Sequence, residues 1–473
     1  MKIFQKLSNP FVVFVERYYP DAFVFVILLT LITFGLAVSF TDSTPIDAVQ
    51  AWGNGLTALL SFMTQICIIL FTAHALAHTD LMQNLLSKVA KIPKTPTQAY
   101  VLVALVAALS NLIAWSLGLI VGAIIARQVA IEADRKGLKI HYPLLVATAY
   151  AGFVVWHMGY SSSSALFVAT DGHILEDKIG VIPVTATIFT TWNMLIAAVT
   201  IIGIAIICPL MQPNEKDIIQ VKAKDLLKSL SKEEEVSISK KTIGDKLNHS
   251  RLLTIIFGLI LLVYLIKWFG EKGFNLDLNI VNWTFLALGL LLARSPLHYV
   301  QLVKNAGSTL GPILLQFPFY AGIMGLMKDT GLVVLMSDYF TKVATASTLS
   351  FWAFISSGIV NMFVPSGGGQ WVIQGPIFIA AAENLNVNPN VIVMGVAYGD
   401  QWTNMIQPFW TIPLLAIAGL DMRKIMGYTF IILLFTMLVY GGGLLILGHS
   451  ENLGSYQKYF EKDKALERRF QKV

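Results

Sequence analysis

The sequence predicts an all-α protein that crosses a membrane many times. Of its 473 residues, 55% are hydrophobic and only 13% are charged, against about 25% charged in an ordinary soluble domain. A chain this apolar has too little polar surface to cover a soluble core, so lipid is the expected surrounding. Stretches of about 20 mostly apolar residues, enough for a spanning helix, recur along the whole length. No segment is left over for a separate soluble domain.

The first half of the chain, residues 21–208, contains four predicted spans and one interrupted block. Residues 1–20, which precede it, are basic and amphipathic and are expected to lie as a helix on the membrane surface. One of the four spans is interrupted around His157-Met158-Gly159-Tyr160 and the serines that follow. In order along the chain, the four spans are Ala22–Phe40, Gly55–His78, the broken Tyr142–Thr170, and Pro183–Ile207.

The interrupted block, Ala99–Ala130, is too long for one straight span and contains polar residues and glycine in its middle. Basic residues come before it, at Lys88 to Lys94, and after it, at Arg127 to Lys139. A segment that starts and ends on the same side of the membrane is either a re-entrant hairpin or two tight spans. Both interpretations stay open at this point.

A polar segment, residues 209–250, separates the two halves and carries charges of both signs. Because such a segment cannot bury apolar area, it is expected to be a solvated cytoplasmic linker. A linking span over residues 251–270 leads into the second half, residues 278–447, and a charged tail of unassigned role, 448–473, ends the chain. The predicted elements of the second half are Leu278–Ala293, Ser308–Met327, the broken block Ser347–Ala382, the broken span Val391–Ala418, and Ile425–Leu447.

The two halves are predicted to be repeats of one another. Asn111 recurs as Asn361, and Ala149-Tyr150 recurs as Ala397-Tyr398, at nearly constant spacing and in the same order as the broken segments. Each repeat then has four spans plus one re-entrant hairpin, which makes about nine spans and two hairpins with the linking span. That odd span reverses the direction of entry, so the second repeat is expected to be inverted.

The distribution of basic residues agrees with this topology. If the N-terminus is cytoplasmic, the lysine-rich and arginine-rich loops all fall inside, while the acidic loops around Asp42 and Asp171 fall outside. The formal charge of +6 lies in these short loops. It therefore reports orientation and gives no indication of nucleic-acid binding.

The four broken segments predict the position of a ligand site. Non-helical backbone persists within a membrane only where protein or a water-filled site satisfies it, and matching breaks in two repeats point to a substrate site. Helix N-termini at the breaks present free N–H groups that suit a carboxylate, and three consecutive glycines allow positive φ and close backbone approach. The predicted substrate-binding residues are Asn111, Ser116, Gly118, Ser161, Ser162, Ser163, Asn361, Ser366, Gly367, Gly368, Gly369 and Gln370.

Other interpretations of these residues remain open. The breaks could be helix ends that only pack in the core. The two asparagines could form ordinary hydrogen bonds between helices, and the serines could serve close helix packing.

The fourth break contains an acidic residue, Asp400, deep in a predicted span. Ionisable groups at that depth are rare and mark functional sites by default. The residues predicted to handle a coupled cation are Asp400, His157, Gln401, Thr403 and Asn404. The cation is H⁺ or Na⁺, and a sodium ion would lie near Asn111, Asn361 and Asp400; no other cofactor is expected. The alternatives are a structural buried carboxylate and a histidine that only hydrogen-bonds.

No lysine or arginine occurs at any of the four breaks. A dianion or a phosphate in a low-dielectric site would usually require a fixed cation. A small monoanion needs only helix ends, hydroxyls and amides, so the pattern favours a monocarboxylate substrate over a dicarboxylate.

The segment Val364–Pro376 resembles the glycine signature of the bacterial short-chain fatty acid transporter family, the acetoacetate/butyrate-type permeases. Phe317–Ile323, Ala397–Trp402 and Tyr19-Pro20-Asp21 are also similar to that family, in which a glutamate can stand where Asp400 is. The resemblance extends from Pro20 to Leu447. It implies a secondary active transporter of short-chain monocarboxylates in the bacterial inner membrane.

The family is grouped with an ion-transporter superfamily. That grouping implies a homodimer, a scaffold with an elevator-like transport domain, and coupling to an ion. Two alternatives remain: a symporter of dicarboxylates or other organic anions, and a membrane-embedded enzyme that uses Asp400 and His157 as an acid–base pair. The enzyme is the weaker of the two, because no nucleophile or metal motif accompanies the pair.

Overall fold

The computed structural model describes residues 22–228, 242–273, 276–362 and 366–470. The described residues form α-helices joined by short 3₁₀ segments and turns, without a β-strand, as expected for a chain that must satisfy its backbone within lipid. The predicted surface helix over residues 1–20 and the central part of the linker, 229–241, lie outside the described residues.

The first half contains ten helices among its described residues. They are α1 (Ala22–Phe40), α2 (Pro45–Gly55), α3 (Leu60–Ala77), α4 (Asp80–Val89), α5 (Pro96–Ile113), α6 (Trp115–Lys136), α7 (Tyr142–Ala151), α8 (Ser163–Val168), α9 (Glu176–Ile179) and α10 (Thr191–Leu210). Helix α7 continues into a 3₁₀ segment, Gly152–Met158, before the chain leaves helical geometry.

The linker region and the second half add eleven described helices. They are α11 (Ala223–Lys228), α12 (Ile243–Asn248), α13 (Arg251–Lys272), α14 (Leu278–Leu292), α15 (Pro296–Asp329), α16 (Leu332–Val343), α17 (Leu349–Asn361), α18 (Gly367–Leu385), α19 (Pro389–Thr403), α20 (Pro408–Ala418) and α21 (Arg423–Phe470). A 3₁₀ segment, Asn404–Ile406, separates α19 from α20.

The predicted class of polytopic helical membrane protein is confirmed. Six of the described helices are long and apolar enough to cross a bilayer. They are α3, α5, α6, α10, α13 and the Arg423–His449 part of α21. Helix α13, the predicted linking span, buries only 17% of its apolar window inside the protein, so most of its apolar side chains lie on the outer surface of the chain. Helix α6 buries 83% of its window and lies in the protein core.

Contacts between loops join segments that the charge pattern places on the same side of the membrane. The ammonium group of Lys136, at the end of α6, donates to the carbonyl of Lys91, ahead of α5, at 2.5 Å. The start of α5 and the end of α6 therefore lie on the same side, as both the hairpin and the two-span interpretation require. Lys178, in the loop predicted to be external, lies 3.7 Å from Glu383, near the end of α18.

The two broken spans run in opposite directions. The hydroxyl of Tyr142, at the start of α7, donates to the carbonyl of Ala418, at the end of α20, at 2.8 Å. Farther along, the backbone N–H of His157 donates to the side chain of Gln401 at 2.9 Å. An antiparallel pair agrees with an inverted second repeat, and the complete inverted layout stays a prediction.

Part of the linker is packed rather than solvated. Residues 211–228 lie along the end of α6 and the start of α7, the side that the charge pattern predicts to be cytoplasmic. The N–H of Tyr142 donates to the carbonyl of Ile219 at 2.9 Å, and Asp134 accepts from the N–H of Ala223 at 2.9 Å. Arg127, in α6, donates to the carbonyl of Leu226. Backbone groups satisfied in this way let a polar segment dock without a large apolar face.

Candidate functional site

The first predicted break is a tight hairpin tip. Helix α5 ends at Ile113, α6 begins at Trp115, and the single residue between them, Ala114, is extended. The Asn111 side chain donates to the carbonyl of Ala107 in its own helix at 2.8 Å. It also fills the space where a Cβ on Gly118 would stand. Two predicted residues thus come together at this tip, and Gly118 is small because Asn111 lies against it.

The second break receives this tip. After the 3₁₀ segment that follows α7, the chain turns through Gly159 and Tyr160 before α8 begins at Ser163. The N–H of Tyr160 donates to the carbonyl of Leu112 at 2.7 Å, and Ser161 Oγ accepts the N–H of Trp115 at 2.8 Å. Ser161 therefore satisfies a backbone donor at the hairpin tip, a structural role that the sequence left open.

The remaining residues predicted around these two breaks are buried but differ in what they contact. Ser116 lies in the first turn of α6 and Ser163 in the first turn of α8, with 6% of each exposed. Ser162 lies directly before α8 and places its Oγ 3.1 Å from His157 Nδ1. Of the predicted serines, Ser162 is therefore the one joined to the predicted cation group.

The third break is the tip of the second hairpin, between α17 and α18. Its residues 363–365 lie outside the described ones. Ser366 caps α18, and its hydroxyl accepts the N–H of Gly369 at 3.3 Å. The three glycines form the first turn of α18 and do not adopt positive φ. The positive φ that a glycine run allows is therefore not used, because the glycines continue directly into a helix.

The expected close approach does occur, and it is made to side chains. An ideal Cβ on Gly367 would lie 2.5 Å from His157 Nε2, and one on Gly368 would lie 2.7 Å from the ring of Phe62. A Cβ on Gly369 would overlap the ring of Tyr320. The absence of three side chains lets the start of α18 press against helices from both halves of the protein.

Asn361 ties the third break to the fourth. Its side-chain nitrogen lies 2.8 Å from the carbonyl oxygen of Asp400, 2.9 Å from Thr403 Oγ1 and 2.7 Å from Asn404 Oδ1. The side chain of Gln407 donates to the carbonyl of Asn361 at 2.9 Å. The two repeat-related asparagines therefore differ: Asn111 bonds within its helix and Asn361 between helices.

Gln370 has a more local role. Its side-chain nitrogen donates to the carbonyl of Ser357 at 2.6 Å and to Gln374 at 3.0 Å. The first bond joins the two arms of the second hairpin, and the second lies within α18. Gln370 Oε1 is buried without a partner among the described residues.

Asp400 and His157 form a buried pair where the broken spans cross. Their side chains are 1% and 0% exposed, and His157 Nε2 lies 3.4 Å from Asp400 Oδ1. Within the described part of the chain, neither carboxylate oxygen nor Nε2 has a hydrogen-bond partner. Buried polar atoms are normally satisfied, and leaving a charge unsatisfied is costly. Such atoms at a break in a membrane helix indicate a ligand site.

The structure adds an aromatic cluster that sequence reasoning missed. Trp115, Phe153, Trp156 and Trp410 lie together, with ring centroids 5.1–6.5 Å apart. The Trp156 ring lies 3.6 Å from the ring of His157. Aromatic residues at helical spacing look like ordinary core. The sequence feature that could have identified this cluster is that Trp115 and Trp156 immediately adjoin two of the breaks.

A cleft of about 700 Å³ lies elsewhere, between the α1–α2 turn and the α15–α16 corner. It is lined by Asp42, Asp47 and Asp329 and by none of the predicted site residues. Its acidic lining would repel a carboxylate, so the buried pair remains the better candidate for an anion carrier.

Comparisons with known proteins point to one family. Residues 3–447 match the family model described as short chain fatty acid transporter. A protein of Escherichia coli (strain K12) described as a short-chain fatty acid transporter is 42% identical over 92% of this chain and 97% of its own. A similarly described protein of Haemophilus influenzae is 38% identical over 93% of this chain and 99% of its own. The solved structure of the Alcanivorax borkumensis YdaH transporter is similar in fold, with a TM-score of 0.59 and 13% identity, covering 92% of this chain and 99% of that one.

Proposed function

This chain belongs to the short chain fatty acid transporter family, and we propose that it carries butyrate-like and acetoacetate-like monocarboxylates together with a cation. The family is one of transporters rather than enzymes, which removes the acid–base enzyme alternative. The protein is a multi-pass membrane protein, and we place it in the bacterial inner membrane with its N-terminus in the cytoplasm. Alternating access, symport and assembly as a homodimer belong to the proposal.

The observation that carries the proposal is the buried pair of Asp400 and His157 between the antiparallel broken spans. The pair lies beside the start of α18, whose free N–H groups favour an anion. A bound carboxylate next to the Asp400 carboxylate would be repelled in a low dielectric. A cation that enters with the substrate removes this repulsion, which is the physical basis of symport.

A dicarboxylate is less well suited to this site. Among the lysines and arginines that the structure describes, Arg127 is the one that is buried. Its guanidinium donates to the carbonyls of Leu226 and Ile417 at the cytoplasmic ends of the helices. It is therefore committed away from the buried pair, and a second substrate carboxylate would lack a fixed positive partner.

The test is uptake into proteoliposomes that contain the purified protein. Labelled butyrate, acetoacetate and succinate are compared while sodium and proton gradients are imposed separately. We expect accumulation of the two monocarboxylates with one of the gradients and little uptake of succinate. Succinate accumulation that exceeds butyrate accumulation would favour the dicarboxylate alternative. Uptake that is independent of both gradients would refute cation coupling.

A further inference from the structure

The first turn of α18 lies against a buried histidine nitrogen, which also has Asp400 Oδ1 at 3.4 Å but makes no hydrogen bond to it. His157 is 0% exposed, and its Nε2 has no hydrogen-bond partner among the described residues. An ideal Cβ on Gly367 would lie only 2.5 Å from this nitrogen. Nε2 is therefore in close contact with the start of the helix, and only a residue without a side chain fits at position 367.

The contacts of the ring indicate that Nε2 can act as a donor. Ser162 Oγ lies 3.1 Å from Nδ1. When this hydroxyl donates to Nδ1, the hydrogen of the neutral imidazole is on Nε2. Nearby, Gln401 accepts from the backbone N–H of His157 through its oxygen. Its buried side-chain nitrogen is without a partner in the described structure.

The helix end supplies further donors. The first N–H groups of a helix have no partner within the helix, and the 19-residue helix α18 places its positive end here. The Ser366 hydroxyl accepts from Gly369, and the N–H groups of Gly367 and Gly368 belong to this first turn, for which the helix itself supplies no acceptor. Trp156 closes the same space on a second side, 2.8 Å from the ideal Cβ position on Gly367. With so little room beside Gly367, only a small head group could reach Nε2 and these N–H groups.

We propose that His157 Nε2 and the N–H groups of Gly367 and Gly368 bind the carboxylate of the substrate. His157 is then a substrate-contacting residue, whereas the sequence grouped it with the residues that handle the cation. The assignment rests on the proposed function, since it requires that a monocarboxylate is carried. It divides the buried pair into an anion partner, His157, and a cation partner, Asp400.

The test measures exchange of labelled butyrate across proteoliposomes without any ion gradient. His157→Leu removes the donor, and we expect the half-saturating butyrate concentration to rise about tenfold. His157→Gln keeps an N–H donor and should recover part of that loss. Gly367→Ala places a methyl group against Nε2 and should weaken butyrate binding as strongly as His157→Leu does. Gly442→Ala is the matched control, because a Cβ there has nothing within 4 Å.

A second readout separates substrate contact from a merely structural role. Butyrate should raise the melting temperature of the solubilised parent, and the uncharged amide of butyrate should not. The His157→Leu protein should lose this preference for the carboxylate. A structural histidine would lower the melting temperature in the absence of ligand and leave the preference intact.

The outcomes are distinguishable. If the parent exchanges butyrate and His157→Leu keeps its half-saturation within about twofold, the assignment is wrong and the proposed function stands. If the parent exchanges neither butyrate nor acetoacetate, the proposed function fails and the assignment falls with it. If His157→Leu does not fold, Ser162→Ala replaces it. That variant removes only the hydroxyl that orients the ring, and an unchanged half-saturation in it overturns the assignment.

Discussion

Replacing Asp400 with asparagine should separate substrate exchange from uphill transport. The change removes one negative charge and keeps nearly the same shape at a position where both carboxylate oxygens are buried without a partner among the described residues. If Asp400 serves the cation, the variant loses the group that makes substrate and cation bind together. Exchange of substrate down its own gradient does not need that group.

The penalty for binding the substrate without the cation follows from the distance between Asp400 and His157. Asp400 Oδ1 lies 3.4 Å from His157 Nε2. A substrate oxygen bonded to that nitrogen would lie about 2.8 Å from it, which places the two negative charges about 5–6 Å apart. At an effective dielectric constant of about 20, their repulsion is about 3 kcal/mol. In the parent protein, removal of the compensating cation should therefore lower the affinity for the substrate on the order of 200-fold.

The assay is butyrate exchange and butyrate accumulation in matched proteoliposomes, with proton and sodium concentrations varied separately. In the parent, half-saturation of exchange should depend strongly on one cation. In Asp400→Asn this dependence should be nearly absent, and accumulation driven by either gradient should be lost. Asp400→Glu retains the charge and should retain coupling. If Asp400→Asn accumulates butyrate against its gradient as well as the parent does, Asp400 is structural.

Three further predictions concern packing, topology and pH. Gly159→Ala should destabilise the protein by about 2 kcal/mol or more and abolish transport, because its Cβ would overlap the backbone of the first hairpin tip; an unchanged melting temperature, as expected for Gly442→Ala, would contradict this. In a cysteine-free background, a cysteine at Asp42 should react with impermeant thiol reagents from outside, and a cysteine at Lys240 should react only from inside. Labelling of both cysteines from the same side would refute the inverted topology. The bidentate arginine partner lowers the pKa of Asp80. This exposed ion pair should stabilise the folded protein by about 0.5 kcal/mol near neutral pH. The stabilisation should be lost as the pH falls through the pKa of Asp80 in the folded protein. The check is that Asp80→Asn lowers the melting temperature at pH 7 and leaves it unchanged in acid.

The positions of the breaks could be predicted because they depend on local chemistry. Polar residues, glycine and proline interrupt apolar runs, and lipid does not tolerate unpaired backbone groups. The break after Ile113, the unwound segment before Ser163 and the turn before Pro408 all occur where the sequence predicted interruption. The multi-span helical class followed in the same way from composition and from the lengths of the apolar runs.

The conformation of the glycine run was not predictable in the same way. Three glycines permit both helical and left-handed backbone, and the sequence left the choice open. The structure places them in a helix because Ser366 caps it. The same glycines are needed because His157, Phe62 and Tyr320 approach from other elements, and none of these neighbours is close to the glycines in the sequence.

The sequence by itself determined the membrane class, the four breaks and the kinds of residues at them, since helix length and backbone satisfaction are short-range requirements of a chain in lipid. Only the tertiary structure decided which of those residues meet. Asn361 bonds across to Asp400 while Asn111 stays within its own helix, and His157 lies against both Asp400 and the space beside Gly367. These partnerships join residues far apart in the chain. They arise from how two antiparallel broken helices pack, and a single sequence does not encode that packing in any local pattern.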